Sequence, residues 1–251
     1  MMNETIQLLR NHRSIRKYKN IDVPEAHLQE IILAAQAAAS SSNIQAYSVV
    51  AVRDPQRKQR LSELSGNQKQ ILESPVFLIW CADLNKIRKA VRLHEDIELK
   101  QNVEMLLLST VDAVLAAQNA TVAAESLGYG TVYIGGIRNN PQEVTDLLEL
   151  PQLVYPVFGL CVGVPDQEPD IRPRFPLAAV YHQETYSEDA LEKGIHTYDE
   201  ITSHYYATRK GGGAGGERET TWSREMLRKF ERENQRDHMH DFLLGRGFEL
   251  K

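Results

Sequence analysis

Residues 102–127 constrain the fold more than any other stretch of this chain. The segment is alanine-rich and largely apolar, with Val111, Val114, Leu115, Ala117, Val122 and Ala123 at helical spacing, and Gly128 supplies a stop. A helix that is apolar on most of its circumference has to be covered on nearly every side. The segment is therefore expected to be either the central helix of a domain or part of a subunit interface.

The rest of the chain supplies partners for such a helix. Helical spacing marks Ile6, Leu8 and Leu9, and a second helix opens at Pro24 and continues to Ala39 before the polar break at 40–43. Tyr47–Val52, 75–82, Thr131–Ile134 and 154–164 read as strands, the second and fourth apolar enough to be central. Asp54-Pro55 opens a helix toward Leu64, and Asn140-Pro141 opens another toward Leu148. Prolines at 165, 169, 173 and 176 restrain a loop; helix resumes around 188–207 and again from about Thr221 to Arg236, before a last apolar segment from Phe242 to Leu250. Helices and strands intermix without the regular alternation of a doubly wound parallel sheet, so the fold class is α+β. The 251 residues are expected to form a single domain, with 209–251 an extension able to cover a partner.

Composition narrows the function. Hydrophobic residues at 42% and charged residues at 25% fit a soluble globular protein, and the net charge of -5 argues against a general nucleic-acid binder. No secretory leader opens the chain, and the apolar runs, such as 76–82, have strand rather than membrane-spanning length. Cys81 and Cys161 each lie in an apolar run, without CxxC or metal-ligand spacing, and are expected to be buried free thiols in the cytoplasm.

Against this acidic background, three basic side chains, an imidazole and a hydroxyl fall within His12-Arg13-Ser14-Ile15-Arg16-Lys17-Tyr18. Arginine offers a planar fork matched to phosphate or carboxylate, whereas a solvated basic turn is the plain alternative. Two more segments share the character. Gly135-Gly136-Ile137-Arg138-Asn139-Asn140-Pro141 follows a strand and leads into a helix, so paired glycines there permit a flat ligand or an anion to approach backbone N–H groups; a tight turn explains them equally well. Arg172-Pro173-Arg174 sets two guanidiniums on a stiff dipeptide, or simply forms a surface loop. The run Gly211–Gly216 matches GxGxxG formally, but it follows a helical segment rather than a strand and reads as a flexible loop. His238 and His240 read as a solvated pair, and Glu95, Asp96 and Glu98 as a polar helix face.

Taken together, HRSIR at 12–16, SSSNIQ at 40–45, GNQK at 66–69, AQNATVAAESLGYGTVYIGGIRNNP at 117–141, FGLCVG at 158–163, PDIRPRFP at 169–176, YYATR at 205–209 and TTWS at 220–223 resemble the nitroreductase family of flavoproteins. The likeness is to its NADPH-preferring flavin reductase and oxygen-insensitive nitroreductase branch, and it covers nearly the whole chain. It implies a central mixed sheet flanked by helices, an intertwined homodimer, and FMN bound at the subunit interface. By this resemblance His12, Arg13, Ser14 and Arg16 bind FMN, with Arg16 near the pyrimidine end of the ring. Ser40, Ser41, Ser42, Gln45 and Gln68 add polar contacts, some from the second subunit; Ile134, Gly135 and Gly136 lie along the ring; Arg172 and Arg174 join the phosphate site. Arg209 and Arg218 are implied to hold the 2′-phosphate of NADPH, with NADH an alternative donor. The resemblance implies no catalytic side chain, since the flavin carries the hydride chemistry and the protein orients it. It further implies a ping-pong oxidoreductase acting on small-molecule acceptors such as nitroaromatics, quinones or free flavin, with neither membrane nor nucleic acid as partner. Other flavin chemistry on the same fold, such as reductive dehalogenation or flavin fragmentation, and a non-enzymatic redox sensor are the alternatives.

Overall fold

The strand that organises the molecule is β2 (Val76–Asp83), an apolar run buried along its whole length. A computed structural model describes residues 3–99, 101–209, 218–231 and 236–251, and the run Gly211–Gly216 lies outside them. Among the described residues β2 joins β1 (Tyr47–Val52), β3 (Gly130–Ile134) and β4 (Val154–Gly163) in one sheet of order β1-β2-β4-β3. Every ladder in it is antiparallel. This corrects the mixed sheet expected from the sequence; the parallel link among the described residues is the isolated bridge between Ser14 and Thr131. The physical reason lies in the connections. Val52, where β1 ends, faces Phe77 at the start of β2, so the intervening helices re-deliver the chain at the end it left.

Alternation along β2 builds two cores. Phe77, Ile79 and Cys81 face Leu61 and Leu64 of α3 (Pro55–Leu64), Ile71 of α4 (Lys69–Glu73) and Val144 of α7 (Pro141–Leu147). Val76, Leu78 and Trp80 face the other layer, α2 (Glu25–Gln36) and α6 (Val103–Ser126). Short helices α1 (Glu4–Arg10) and α5 (Asn85–Arg92) flank these layers. The polar face expected at Glu95, Asp96 and Glu98 falls beyond the end of α5, where Asp96 and Glu98 pair with Arg92. Gly159 of β4, paired with Ile79, leaves room for the Phe77 ring: a Cβ there would lie 2.0 Å from it.

α6 resolves the opening expectation into two halves. Its small face, Ala113, Ala116, Ala117, Ala120 and Ala124, is buried against the sheet and α2. Its large apolar side chains Leu107, Val111, Val114 and Leu115 are each more than 40% exposed. By length and mean hydropathy α6 reaches the range of a membrane-spanning helix, although strand-length runs alone were expected. Its buried Asp112 accepts the backbone N–H groups of Ser41 and Ala46, at 3.1 and 2.9 Å, which places it as a core helix.

The chain divides into two compact units, Met1–Gln167 with Arg236–Lys251, and Glu168–Gln235. The expected extension therefore falls in both. Its end, including α10 (Met239–Gly245), packs Phe242, Leu243 and Phe248 against Leu153, Tyr155 and Val157 of the first unit. In the second unit α8 (Glu188–Thr208) and α9 (Trp222–Phe230) meet around Phe175, which stacks on Tyr198 at 4.2 Å and meets Trp222 edge-on at 4.9 Å. Asp199 of α8 accepts the Ser223 N–H at 2.8 Å and so anchors the first turn of α9.

Candidate functional site

A sheet edge and a strand end create the first site. The register of β2 on β4 passes from Trp80–Phe158 to Cys81–Pro156, leaving Val157 as the extra residue of a bulge. Pro156 has no N–H to give to a ladder, so the irregularity falls where the ladder is already weakest. The Val157 carbonyl is then taken by the Arg138 guanidinium, which fixes the turn Gly135–Arg138 that follows β3. Burial, reinforced by neighbouring Arg236, pushes the Arg138 pKa below its ordinary value, while Tyr155 opposes the shift. Gly136 has a structural reason beyond ligand approach: a Cβ there would lie 2.4 Å from the Ser65 carbonyl oxygen.

Over this turn opens a cavity of ≈ 270 Å³. Arg16, Gln68, Ile134, Gly135 and Gly136 all line it, so five of the residues expected at a flavin site come together from three distant segments. Val132 and Tyr133 add an apolar wall, and Ser65, Gln70, Asn139 and Arg236 add polar groups that the sequence reading did not single out. Gln70 donates to Gln68 at 2.6 Å, and the Arg236 Nε donates to the Asn139 Oδ1 at 3.0 Å. No carboxylate and no histidine is among the lining residues described. A second, apolar cavity of ≈ 360 Å³ shares Tyr133 and Gly135 with the first and is bounded by Val114, on the exposed side of α6.

The remaining expected residues lie elsewhere. His12 places Nδ1 2.6 Å from Glu125 Oε1, which also accepts the Thr131 hydroxyl at 3.0 Å, so this imidazole is tied to the end of α6. Ser14 bridges β3 through its backbone and accepts Arg16 Nη1 at its carbonyl, 3.3 Å away; Arg13 is half-buried beside it. Ser40, Ser41, Ser42 and Gln45 stand at the start of β1 and line neither cavity. Ser42, Asn43 and Gln45 all take positive φ, of 48°, 56° and 54°, a conformation that costs non-glycine residues about 1 kcal/mol or more each. His238 bonds the Arg138 carbonyl at 3.0 Å and His240 pairs with Asp241 at 3.0 Å; no metal-binding cluster occurs among the described residues.

The second unit holds the other expected arginines. Arg172 and Arg174 are exposed, and Arg174 Nη1 donates to the Arg172 carbonyl at 2.8 Å. Arg209 and Arg218 converge on one ring, with their guanidinium carbons 5.4 and 5.6 Å from the centroid of Tyr206. Arg218 also donates its backbone N–H to the Tyr206 carbonyl at 3.0 Å and pairs with Glu225 at 3.3 Å. The acid that meets Arg218 thus comes from α9 rather than from the neighbouring Glu219. Although partial burial works against it, the Thr220 hydroxyl and the guanidiniums of Arg218 and Arg228 hold the Glu225 carboxyl below the usual range.

Comparison with known proteins fits this arrangement. Residues 9–164 match the nitroreductase family, and residues 172–251 match the nitroreductase family C-terminal domain. The chain is 42% identical to an FMN reductase (NADPH) of Bacillus subtilis, over 98% of this chain and 99% of that one. It is 42% identical to an oxygen-insensitive NADPH nitroreductase of Salmonella typhimurium, over 93% and 94% of the two chains. The solved structure of the hypothetical oxidoreductase YcnD from Bacillus subtilis superposes on it with a TM-score of 0.94 at 42% identity, covering 100% of both chains. Fold, pocket and full-length likeness agree that the chain belongs to the nitroreductase family.

Proposed function

We propose that this protein is an FMN-dependent oxidoreductase that takes two electrons from NADPH, with NADH an alternative donor, and passes them by a ping-pong cycle to nitroaromatics, quinones or free flavin. The observation that carries this reading is the convergence of Arg16, Gln68, Ile134, Gly135 and Gly136 on one cavity. Its donor set suits FMN: amides and guanidiniums for the polar edge of a flat ring, an apolar wall for its face, and no carboxylate among the described lining to repel negative charge. Bound FMN would supply reversible hydride acceptance, which protein side chains cannot.

The chain's own residues then have three tasks. Gln68, Gln70 and Asn139 orient the ring edge through hydrogen bonds. Arg16 favours the form of the site that carries added negative charge, because a cation held at the ring edge attracts that charge. Arg13 is a charge-assisted donor of the kind a dianionic phosphate requires, and so are Arg172 and Arg174. Arg209 and Arg218 hold the 2′-phosphate of the donor, supported by their shared seat on Tyr206.

A second copy of the chain completes the site. The exposed apolar side of α6 runs into the second cavity through Val114, and the strained loop at Ser41–Gln45, tied to α6 by Asp112, lines neither of the two cavities described. Both features are accounted for if the loop serves the partner's pocket. The test is steady-state kinetics combined with cofactor release: the denatured protein should free FMN, and double-reciprocal plots against NADPH at several quinone concentrations should be parallel. Intersecting lines, or a released chromophore other than FMN, would overturn the reading.

A further inference from the structure

Arg218, one of the arginines over Tyr206, meets the carboxylate of Glu225, whose two oxygens have different duties. Glu225 Oε1 accepts the Thr220 hydroxyl at 2.9 Å and Arg228 Nη1 at 2.9 Å, so that oxygen is secured by its own helix and by the segment leading into it. Oε2 meets Arg218 at 3.3 Å, the longer contact. The base of Arg218 is anchored separately, by its backbone bond to Tyr206, while its guanidinium lies over the Tyr206 ring as well as against the carboxylate. Arg218 can therefore leave the carboxylate without displacing its own backbone and without stranding Glu225, which keeps two donors. A side chain with a fixed base, an exchangeable tip and a resident counter-anion is arranged to swap one anion for another.

We propose that Glu225 is a specificity-determining residue that acts as an internal substitute for the donor's 2′-phosphate, competing with it for Arg218. This deepens the proposed use of Arg209 and Arg218 and rests on that reading. In the absence of a phosphorylated donor, Glu225 keeps the Arg218 tip folded onto α9. A 2′-phosphate, with more charge and three acceptor oxygens, takes the guanidinium over, and Glu225 relaxes onto Thr220 and Arg228. The carboxylate thereby sets the affinity for NADPH below what the two arginines alone would give. The pair is partly solvated, at 34% and 18% side-chain exposure, so its removal has a modest effect.

Calorimetric titration with adenosine 2′,5′-bisphosphate and with 5′-AMP tests this on the holoenzyme without turnover. The quantity read is the ratio of the two dissociation constants, which isolates the 2′-phosphate. Glu225→Gln keeps an acceptor for Thr220 and should raise the preference for the bisphosphate about threefold to fivefold over the unaltered protein. Glu225→Ala should raise it in the same sense, and covers the case in which the glutamine variant folds poorly. A preference that is unmoved or lowered in both variants would overturn the inference and make Glu225 a support for Arg218. If the unaltered protein binds both nucleotides equally, and Arg218→Ala changes neither, the 2′-phosphate reading fails and the inference falls with it.

Discussion

The cavity under Arg16 and the arginine cluster around Tyr206 are both cationic, yet they are built by opposite means. The cavity is made by backbone. A bulge at Val157 offers a carbonyl to Arg138, Gly136 lies against the Ser65 carbonyl, and the strand end sets where Ile134 and Gly135 stand. The cluster is made by side chains of α8, α9 and the chain beside them, with a carboxylate that Arg218 and Arg228 share and a ring beneath two guanidiniums. Close-packed backbone gives a fixed shape and tolerates little change. Long charged side chains give an adjustable charge balance that salt and competing anions can shift. A site that holds a cofactor through every cycle and one that releases its ligand each cycle call for these two kinds of construction.

That contrast can be broken in several places. The largest effect is expected from Val111→Glu with Val114→Glu on the exposed side of α6. Two charges at an apolar contact should weaken self-association by about a hundredfold or more. Sedimentation should then show monomer, with FMN lost alongside. A dimer of unchanged strength would remove α6 from the interface. Next is Gly136→Ala, whose Cβ can be housed only by moving the Ser65 backbone. Overpacking of this kind costs about 1–3 kcal/mol, visible in the melting temperature, and flavin retention should fall with it. An unaltered melting point would mean that the turn is softer than its packing indicates.

The cluster should respond in another way. Arg209→Ala with Arg218→Ala should raise KM for NADPH by about tenfold relative to NADH, since a charge-assisted contact of this class contributes about 1.5 kcal/mol or more. Equal changes for both donors would separate these residues from the 2′-phosphate. The smallest effect concerns the two buried thiols of the sheet. Burial, opposed by Ser74 and Lys58, pushes Cys161 up to about 12, and burial with nearby Asp83 raises Cys81 as well. Both should resist alkylation at pH 8 until the protein unfolds. Rapid labelling of the native protein would show that the sheet opens more readily than the cavity's construction requires.

What could be read in the sequence follows the range of each interaction. The four strands and the long helices were legible because their apolar patterns and the prolines at 24, 55 and 141 act locally. Helices α4 and α5 were not, one being little more than a turn and the other, although amphipathic, being short and strongly polar overall. Arg16 and the Gly135-Gly136 turn announced themselves through a dense basic tract and a strand-ending glycine pair. Arg236 gave no such signal. It lies in a charged run that reads as a solvated face, and only the return of the chain end to the first unit brings it to Asn139. The mixed sheet was inferred from family resemblance, whereas strand direction depends on which end of β1 the chain re-enters, a fact that no local pattern contains. Likewise the uniform apolarity of 102–127 could not reveal that one side is alanine packed on the sheet and the other a row of exposed large side chains.

The proposed function turns on FMN held in the cavity and reduced there by NADPH. Anaerobic rapid mixing of the purified yellow protein with NADPH, and separately with NADH, measures both at once through loss of flavin absorbance. Complete bleaching is expected with either donor, faster and at lower concentration with NADPH. A flavin-loaded protein that NADPH leaves oxidised, or a colourless protein that cannot be reconstituted with FMN, would contradict it.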